Sequence, residues 1–104
     1  MKWALVRPDG TISQQSGGIT VTTHSAGQFI LDFGAATNTK LIQVSSGFAG
    51  DPGTRGTAAA GPCGGTAEGI VCTSGNDTNH VLVRTYAPGN LTFADHAFYI
   101  AVVG

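Results

Sequence analysis

Residues 19–33, ITVTTHSAGQFILDF, have the pattern of two strands joined by a tight turn. The first six residues alternate in period two, with isoleucine, valine and threonine on one face. The last six residues place phenylalanine, leucine and phenylalanine on one face, and the triplet Ser-Ala-Gly between the two runs is typical of a turn. This stretch therefore predicts two strands that send an apolar face into a core.

Similar short extended segments lie on both sides of this stretch. Residues 3–14 predict a hairpin around Pro8-Asp9-Gly10, in which proline presets φ and glycine tolerates a positive φ. Further strands are predicted at residues 40–46, 70–72, 80–86, 91–93 and 97–103.

No helix and no internal repeat are predicted. About eight short strands predict an all-β fold, a single antiparallel β-sandwich of jelly-roll-like kind over residues 1–104. We expect this domain to have been excised from the carboxy-terminal end of a longer protein. Its predicted core comprises Leu5, Ile19, Val21, Phe29, Leu31, Phe33, Leu41 or Ile42, Val81 or Leu82, Phe98 and Ile100.

The last predicted strand, residues 97–103, is apolar on both faces. Phe98, Ile100 and Val102 share one face, and Tyr99, Ala101 and Val103 share the other. A half-exposed antiparallel strand should alternate apolar with polar residues. The second face is therefore covered either by the segment 47–69 or by other copies of the chain, and the pattern favours other copies.

The sparse charge and the short apolar runs argue against two classes of partner. Charged residues make up 11% of the chain and the net charge is −1, whereas about 25% is typical of globular proteins. Without a basic stripe that neutralises phosphates, nucleic-acid binding is not expected. The longest apolar run is too short to span a bilayer, so membrane insertion is not expected either.

Cys63 and Cys72 bracket eight mostly small residues, a spacing that predicts a disulfide closing a glycine-rich loop. Two free thiols are the alternative. A zinc site is not expected, because no nearby histidine or third cysteine completes the ligand set. No cofactor is predicted.

The segment 47–69 is the longest stretch without an apolar period, and it is rich in glycine. Two roles remain open for it. One is a recognition loop that carries Arg55. The other is a surface segment that the disulfide tethers and that binds no partner.

The sequence offers few candidate catalytic residues. A Ser46–His80–Asp77 set can be imagined, but no nucleophile-elbow motif accompanies it, so the chain is not expected to be an enzyme. Asp95 and His96 are interpreted as turn and strand-entry residues that do not pair. The run NDTN at 76–79 offers oxygen ligands but lacks the pattern of a calcium loop, and it is interpreted as an Asx-type turn.

Three segments resemble known families. Residues 27–33 followed by 41–44, and the ending 97–104, are similar to the middle hairpin and the close of small trimeric β-sandwiches. That group includes carboxy-terminal domains of phage tail fibres and H-type lectins. The opening 3–11, WALVRPDGT, resembles the start of uncharacterised actinobacterial carboxy-terminal domains, although this chain ends in Gly104 where those domains often end in cysteine.

The resemblance implies a homotrimeric, extracellular or virion-associated domain of bacterial or phage origin. Together with the apolar last strand, it predicts Tyr99, Ala101 and Val103 in the trimer interface. The implied function is adhesion, with surface glycans as candidate ligands, and the alternative is a purely structural trimerisation cap for a stalk. Sugar sites combine aromatic platforms with planar hydrogen-bonding groups, so the candidate ligand-binding residues are Trp3, Gln43, Arg55, Asn79, Arg84 and Tyr86.

Overall fold

The computed structural model describes residues 1–50, 56–89 and 92–104. The described residues form strands and turns without a helix. The eight strands are β1 (Lys2–Val6), β2 (Ile12–Gln15), β3 (Thr20–Ser25), β4 (Gln28–Asp32), β5 (Leu41–Ser46), β6 (Ala58–Pro62), β7 (His80–Thr85) and β8 (Phe98–Val103).

The strands make two four-stranded antiparallel sheets. The first sheet has the order β2-β1-β8-β5, and the second sheet has the order β3-β4-β7-β6. The two sheets pack face to face, which confirms the predicted all-β sandwich. The first and last strands of the chain lie side by side in the first sheet, so the amino- and carboxy-terminal segments pair along their whole length.

The main core lies between the sheets, and strands β4 and β8 contribute its aromatic centre. The rings of Phe29 and Phe98 meet edge to face with their centroids 4.9 Å apart, a geometry that aromatic pairs favour. Both side chains are fully buried, as the alternation predicted. The other buried members of this core are Ala4, Val6, Ile19, Leu31, Phe33, Val81, Val83, Ile100 and Val102, with Val21 and Ile42 packed at its margin.

One core assignment was wrong in its face, and one open alternative is resolved in favour of Ile42, which packs against the core. Ala4 and Val6 of β1 enter the core, whereas Leu5, which is also buried, pairs with Tyr99 on the opposite, outer face of the first sheet. The pattern of β1 is apolar on both faces, so alternation alone could not choose between them. Leu41, the alternative to Ile42, is 55% exposed.

A bulge in β3 corrects a further assignment. The register between β3 and β4 shifts between Val21 and Thr23, so that Thr23 pairs with Ile30 and His24 pairs with Phe29. Because a bulge inserts one residue, the side chains after it change face. The His24 ring therefore stacks on Phe29 at a centroid distance of 4.4 Å, and Thr23 leaves the face of Val21.

The segment 47–69 contains a strand that its composition did not predict. β6, with the sequence AAAGP, pairs with β7 at the edge of the second sheet. Other backbone comes close to this strand: a Cβ added to Gly69 would overlap the carbonyl oxygen of Pro62, the last residue of β6. The strand predicted at 70–72 is not formed, although Ile70 donates a backbone hydrogen bond to Pro62. The predicted strand 91–93 lies partly outside the described residues, and Phe93 forms a single bridge with Tyr86.

Candidate functional site

The disulfide predicted between Cys63 and Cys72 is present, with 2.06 Å between the sulfur atoms. The loop it closes, residues 63–72, is called the flap. Both cysteines pack with Ile30 and Leu82 on the outer face of the second sheet and form a second apolar cluster there. The disulfide is consistent with an extracellular location, because disulfides persist mainly in oxidising compartments.

The Asn76 side chain holds both ends of the flap. Its Oδ1 accepts a hydrogen bond from the Gly64 amide at 2.8 Å and another from the Cys72 amide at 2.9 Å. Two residues beyond the flap, the Ser74 hydroxyl lies 2.7 Å from the hydroxyl of Thr23 on β3. The disulfide closes the flap, and the apolar contacts of its cysteines with Ile30 and Leu82 fasten it to the second sheet.

A groove, called the Arg84 groove, runs beside the flap on this outer face. It consists of two cavities that share Leu82 and Arg84 as lining residues, of about 200 Å³ on the β6 side and about 150 Å³ on the β3 side. The β6-side cavity is also lined by Glu68, Ile70 and Tyr86. The β3-side cavity is lined by Thr23, Ser25, Gln28, Ile30, Val71, Cys72 and Thr73 besides the two shared residues.

Arg84 is positioned by two neighbours. Its Nε donates a hydrogen bond to Gln28 Oε1 at 3.4 Å, and its guanidinium carbon lies 5.6 Å from the centroid of the Phe93 ring. Phe93 also contacts Tyr86, with 5.4 Å between the ring centroids. Among the described residues, no carboxylate lies within 4.0 Å of the Arg84 guanidinium. Arginine, amide and aromatic rings thus share one half-exposed surface.

The structure divides the described candidate ligand-binding residues between the two sides of the sandwich. Arg84 and Tyr86 line the same cavity. Trp3 and Gln43 flank Ala101 on the outer face of the first sheet, on the opposite side of the sandwich. Asn79 lies in the turn before β7, and Arg55 lies outside the described residues.

Sequence reasoning missed Gln28 and Glu68 as lining residues of the groove, and Phe93 as the ring that contacts Arg84 and Tyr86. Gln28 and Arg84 are register partners across β4 and β7, a relationship that depends on a pairing 56 residues apart in the chain. The period-two pattern placed Gln28 on the outer face, but only the register identifies its neighbour.

The outer face of the first sheet carries the three predicted interface residues. Tyr99, Ala101 and Val103 alternate along β8, and Tyr99 is 46% exposed. Residue Gly47 packs against Leu5 and Tyr99, but the described part of the segment that follows crosses to the second sheet as β6. The residues opposite β8 on this face are Trp3, Leu5, Leu41, Gln43 and Ser45, all uncharged.

The three histidines do not assemble a nucleophilic site. His80 Nδ1 lies 2.8 Å from Asp77 Oδ1, as the imagined triad requires, but Ser46 belongs to the first sheet and donates its hydroxyl to the Gly56 carbonyl. His24 lies 3.0 Å from Asp95. His96, interpreted as a strand-entry residue, is fully buried.

The ring nitrogens of His96 lie 2.9 and 3.0 Å from the carbonyl oxygens of Ala97 and Thr57. This side chain therefore joins the start of β6 to the start of β8. Asp95 does not contact it in a pair, since its carboxylate accepts a hydrogen bond from the Gly27 amide instead.

The Asp77 carboxylate is used within its own turn. Its Oδ1 accepts hydrogen bonds from the His80 ring and the Asn79 amide, and these contacts lower the pKa of the Asp77 carboxyl below its ordinary value of 3.8. This is the predicted Asx-type arrangement. In the described ranges no group of three or more histidine, cysteine, aspartate or glutamate side chains is placed to hold a metal ion.

Comparison with protein-family models, with curated proteins and with solved structures finds no match to this chain. Within the part of the chain that the structure describes, no helix has the length and apolar character needed to cross a membrane.

Proposed function

We propose that this chain is a non-enzymatic, homotrimeric binding or adhesion domain that recognises surface glycans through the Arg84 groove. In this account the outer face of the first sheet joins the copies, and the outer face of the second sheet remains free for the ligand. The domain then works outside the cell or on a virion, in agreement with the disulfide.

The observation that carries the proposal is the chemistry gathered at the Arg84 groove. The Tyr86 and Phe93 rings form an aromatic pair, and Arg84 and Gln28 place planar hydrogen-bonding groups beside it. The apolar C–H face of a sugar ring packs on aromatic rings, while its hydroxyls need donors and acceptors of fixed direction. This combination supports a glycan better than an apolar ligand.

Assembly is supported by the uncharged face of the first sheet. Leu41, Tyr99 and their neighbours expose apolar surface with no charged group among them. A neutral face meets a copy of itself without charge repulsion, and exposed apolar patches often mark protein interfaces. We propose three copies rather than two because of the resemblance of residues 27–33, 41–44 and 97–104 to small trimeric β-sandwiches.

A purely structural trimerisation cap is the second candidate, because the uncharged face of the first sheet would serve it without any ligand. Both functions need the trimer, and only adhesion needs the Arg84 groove. The two are separated by changing the groove and the face independently.

The test is a glycan array probed with the unmodified chain and with Phe93→Ala, each checked by light scattering. The adhesion domain is expected to bind a subset of the glycans and to lose that binding in Phe93→Ala while keeping its oligomeric mass. A trimer that binds none of the arrayed glycans would favour the structural cap.

A further inference from the structure

We propose that the β3-side cavity of the Arg84 groove binds the carboxylate of an acidic sugar, a uronic or sialic acid, while the sugar ring extends over Arg84 towards Tyr86 and Phe93. This inference rests on the proposed glycan-binding function and names the ligand class for the same groove.

The Arg84 guanidinium is hydrogen-bonded to Gln28 through its Nε, and Arg84 lines both cavities of the groove. The bond to Gln28 does not use the two terminal NH₂ groups. In the described residues no carboxylate pairs with them, although arginine commonly binds carboxylates through two parallel N–H donors. The guanidinium carbon lies over the Phe93 ring, 5.6 Å from its centroid, and this cation–π contact helps to hold it in place.

The two cavities differ in the charged residues that line them. Arg84 lines both cavities, whereas Glu68 lines the β6-side cavity and not the β3-side cavity, so that among the described residues Arg84 is the only charged one on the β3 side. A negative group is therefore favoured on the β3 side over the β6 side, where Glu68 opposes it.

Several hydrogen-bond donors accompany Arg84 on the β3 side. The hydroxyls of Ser25 and Thr73 and the amide of Gln28 line that cavity. Hydroxyls and a side-chain amide can donate to a carboxylate, and arginine can donate twice. The cavity volume of about 150 Å³ exceeds the roughly 30 Å³ that one water takes in the liquid several times over, so a carboxylate and part of a sugar ring fit.

The probes are oligosaccharides of hexuronic acid, sialylated oligosaccharides, sulfated oligosaccharides and carboxyl-reduced counterparts of the first two, immobilised on one array. The unmodified chain is expected to bind at least one carboxylated probe and to lose that binding when its carboxyl is reduced. Arg84→Gln is expected to weaken binding by about tenfold or more, since a hydrogen-bonded charge pair is lost. Arg84→Lys keeps the positive charge but loses the planar guanidinium that binds a carboxylate through two N–H donors. An intermediate affinity is therefore expected.

Arg7→Gln is the matched control, because it removes the same charge from an exposed arginine at the opposite sheet, and its affinity should equal that of the unmodified chain. Melting curves verify that each variant is folded, and Arg84→Lys replaces Arg84→Gln if the latter has no transition.

Four results would overturn the inference. Equal binding of carboxyl-reduced probes, binding of sulfated probes alone, or an affinity unchanged in the Arg84 variants would each reject a carboxylate at Arg84 while glycan recognition stands. Absence of binding to every probe and to neutral glycans would reject the proposed function together with the inference.

Discussion

Gln28 and Arg84 face each other across the β4–β7 pair, and the arginine Nε donates to the glutamine side-chain oxygen at 3.4 Å. The contact is long for a hydrogen bond, and it joins two half-buried side chains on the outer face of the sheet. It holds the guanidinium without neutralising its charge. That combination distinguishes Arg84 from an arginine that is held in a structural ion pair.

The role of Gln28 can be tested by exchanging its amide for a carboxylate. In Gln28→Glu the new carboxylate lies opposite Arg84 and pairs with it, so we expect binding of carboxylated glycans to be lost. Stability should change by no more than about 1 kcal/mol, because the pair is partly exposed. The array and a urea titration measure the two effects, and an undiminished affinity would argue against a free guanidinium as the binding group.

Removing the disulfide should affect both stability and the groove. Replacing Cys63 and Cys72 by serine releases a loop of about ten residues, and we expect a loss of somewhat under 3 kcal/mol in the free energy of unfolding. Because the flap packs on Ile30 and Leu82 and lines both cavities, glycan binding should fall as well. Chemical denaturation measures the free energy of unfolding, and the glycan array measures binding. Full binding by the double variant would show that the flap does not shape the groove.

The aromatic centre of the core should dominate stability. Phe29→Ala removes a fully buried ring that contacts both Phe98 and His24, and we expect a cost of roughly 3–5 kcal/mol. Val71→Ala is the control, because Val71 is 68% exposed on the flap and its truncation should cost less than about 0.5 kcal/mol. Equal unfolding midpoints for the two variants in urea would contradict the assigned facing of β4.

The Asp77 carboxyl is expected to make the stability of the fold depend on pH in the acid range. Its hydrogen bonds to the His80 ring and the Asn79 amide lower its pKa in the folded state, so the carboxylate contributes stability above its ordinary pKa of 3.8. That contribution is lost as the pH falls through the lowered pKa. Asp77→Asn should therefore melt at a lower temperature than the unmodified chain at pH 6, and the difference should shrink below pH 3.8. A difference in melting temperature that stays constant over this range would reject this role.

The sequence predicted the strands with a clear period and a marked turn, and it located the disulfide. It was wrong where apolar residues occur on both faces, as for Leu5, and where a bulge changes the face, as for Thr23. β6 was missed because alanine, glycine and proline carry no strand signal, and its identity depends on pairing with β7.

The candidate site was predictable only in part. Arg84 lies in β7 and Tyr86 directly follows that strand, so period-two alternation was enough to join them. Gln28 and Glu68 reach the groove from other segments, as Phe93 reaches Arg84, and their positions depend on strand register and on the path of the chain between strands. Trp3 and Gln43 were grouped with them by side-chain type, although they belong to the opposite sheet.

Charge on the face of β8 should prevent assembly. Ala101→Glu places a carboxylate between Trp3 and Gln43, where several copies would bring like charges together away from water. We expect this variant to be monomeric and still folded. Ala26→Glu is the matched control, since Ala26 lies exposed in the turn between β3 and β4 and should leave the assembly intact. An unchanged oligomeric mass for Ala101→Glu would place the interface elsewhere.

The mass of the unmodified chain in solution tests the account most directly. One chain has a mass of 10.5 kDa. Multi-angle light scattering is predicted to give three times the mass of one chain, because the outer face of the first sheet joins three copies and leaves the Arg84 groove exposed on each. A mass equal to that of a single chain would contradict this account.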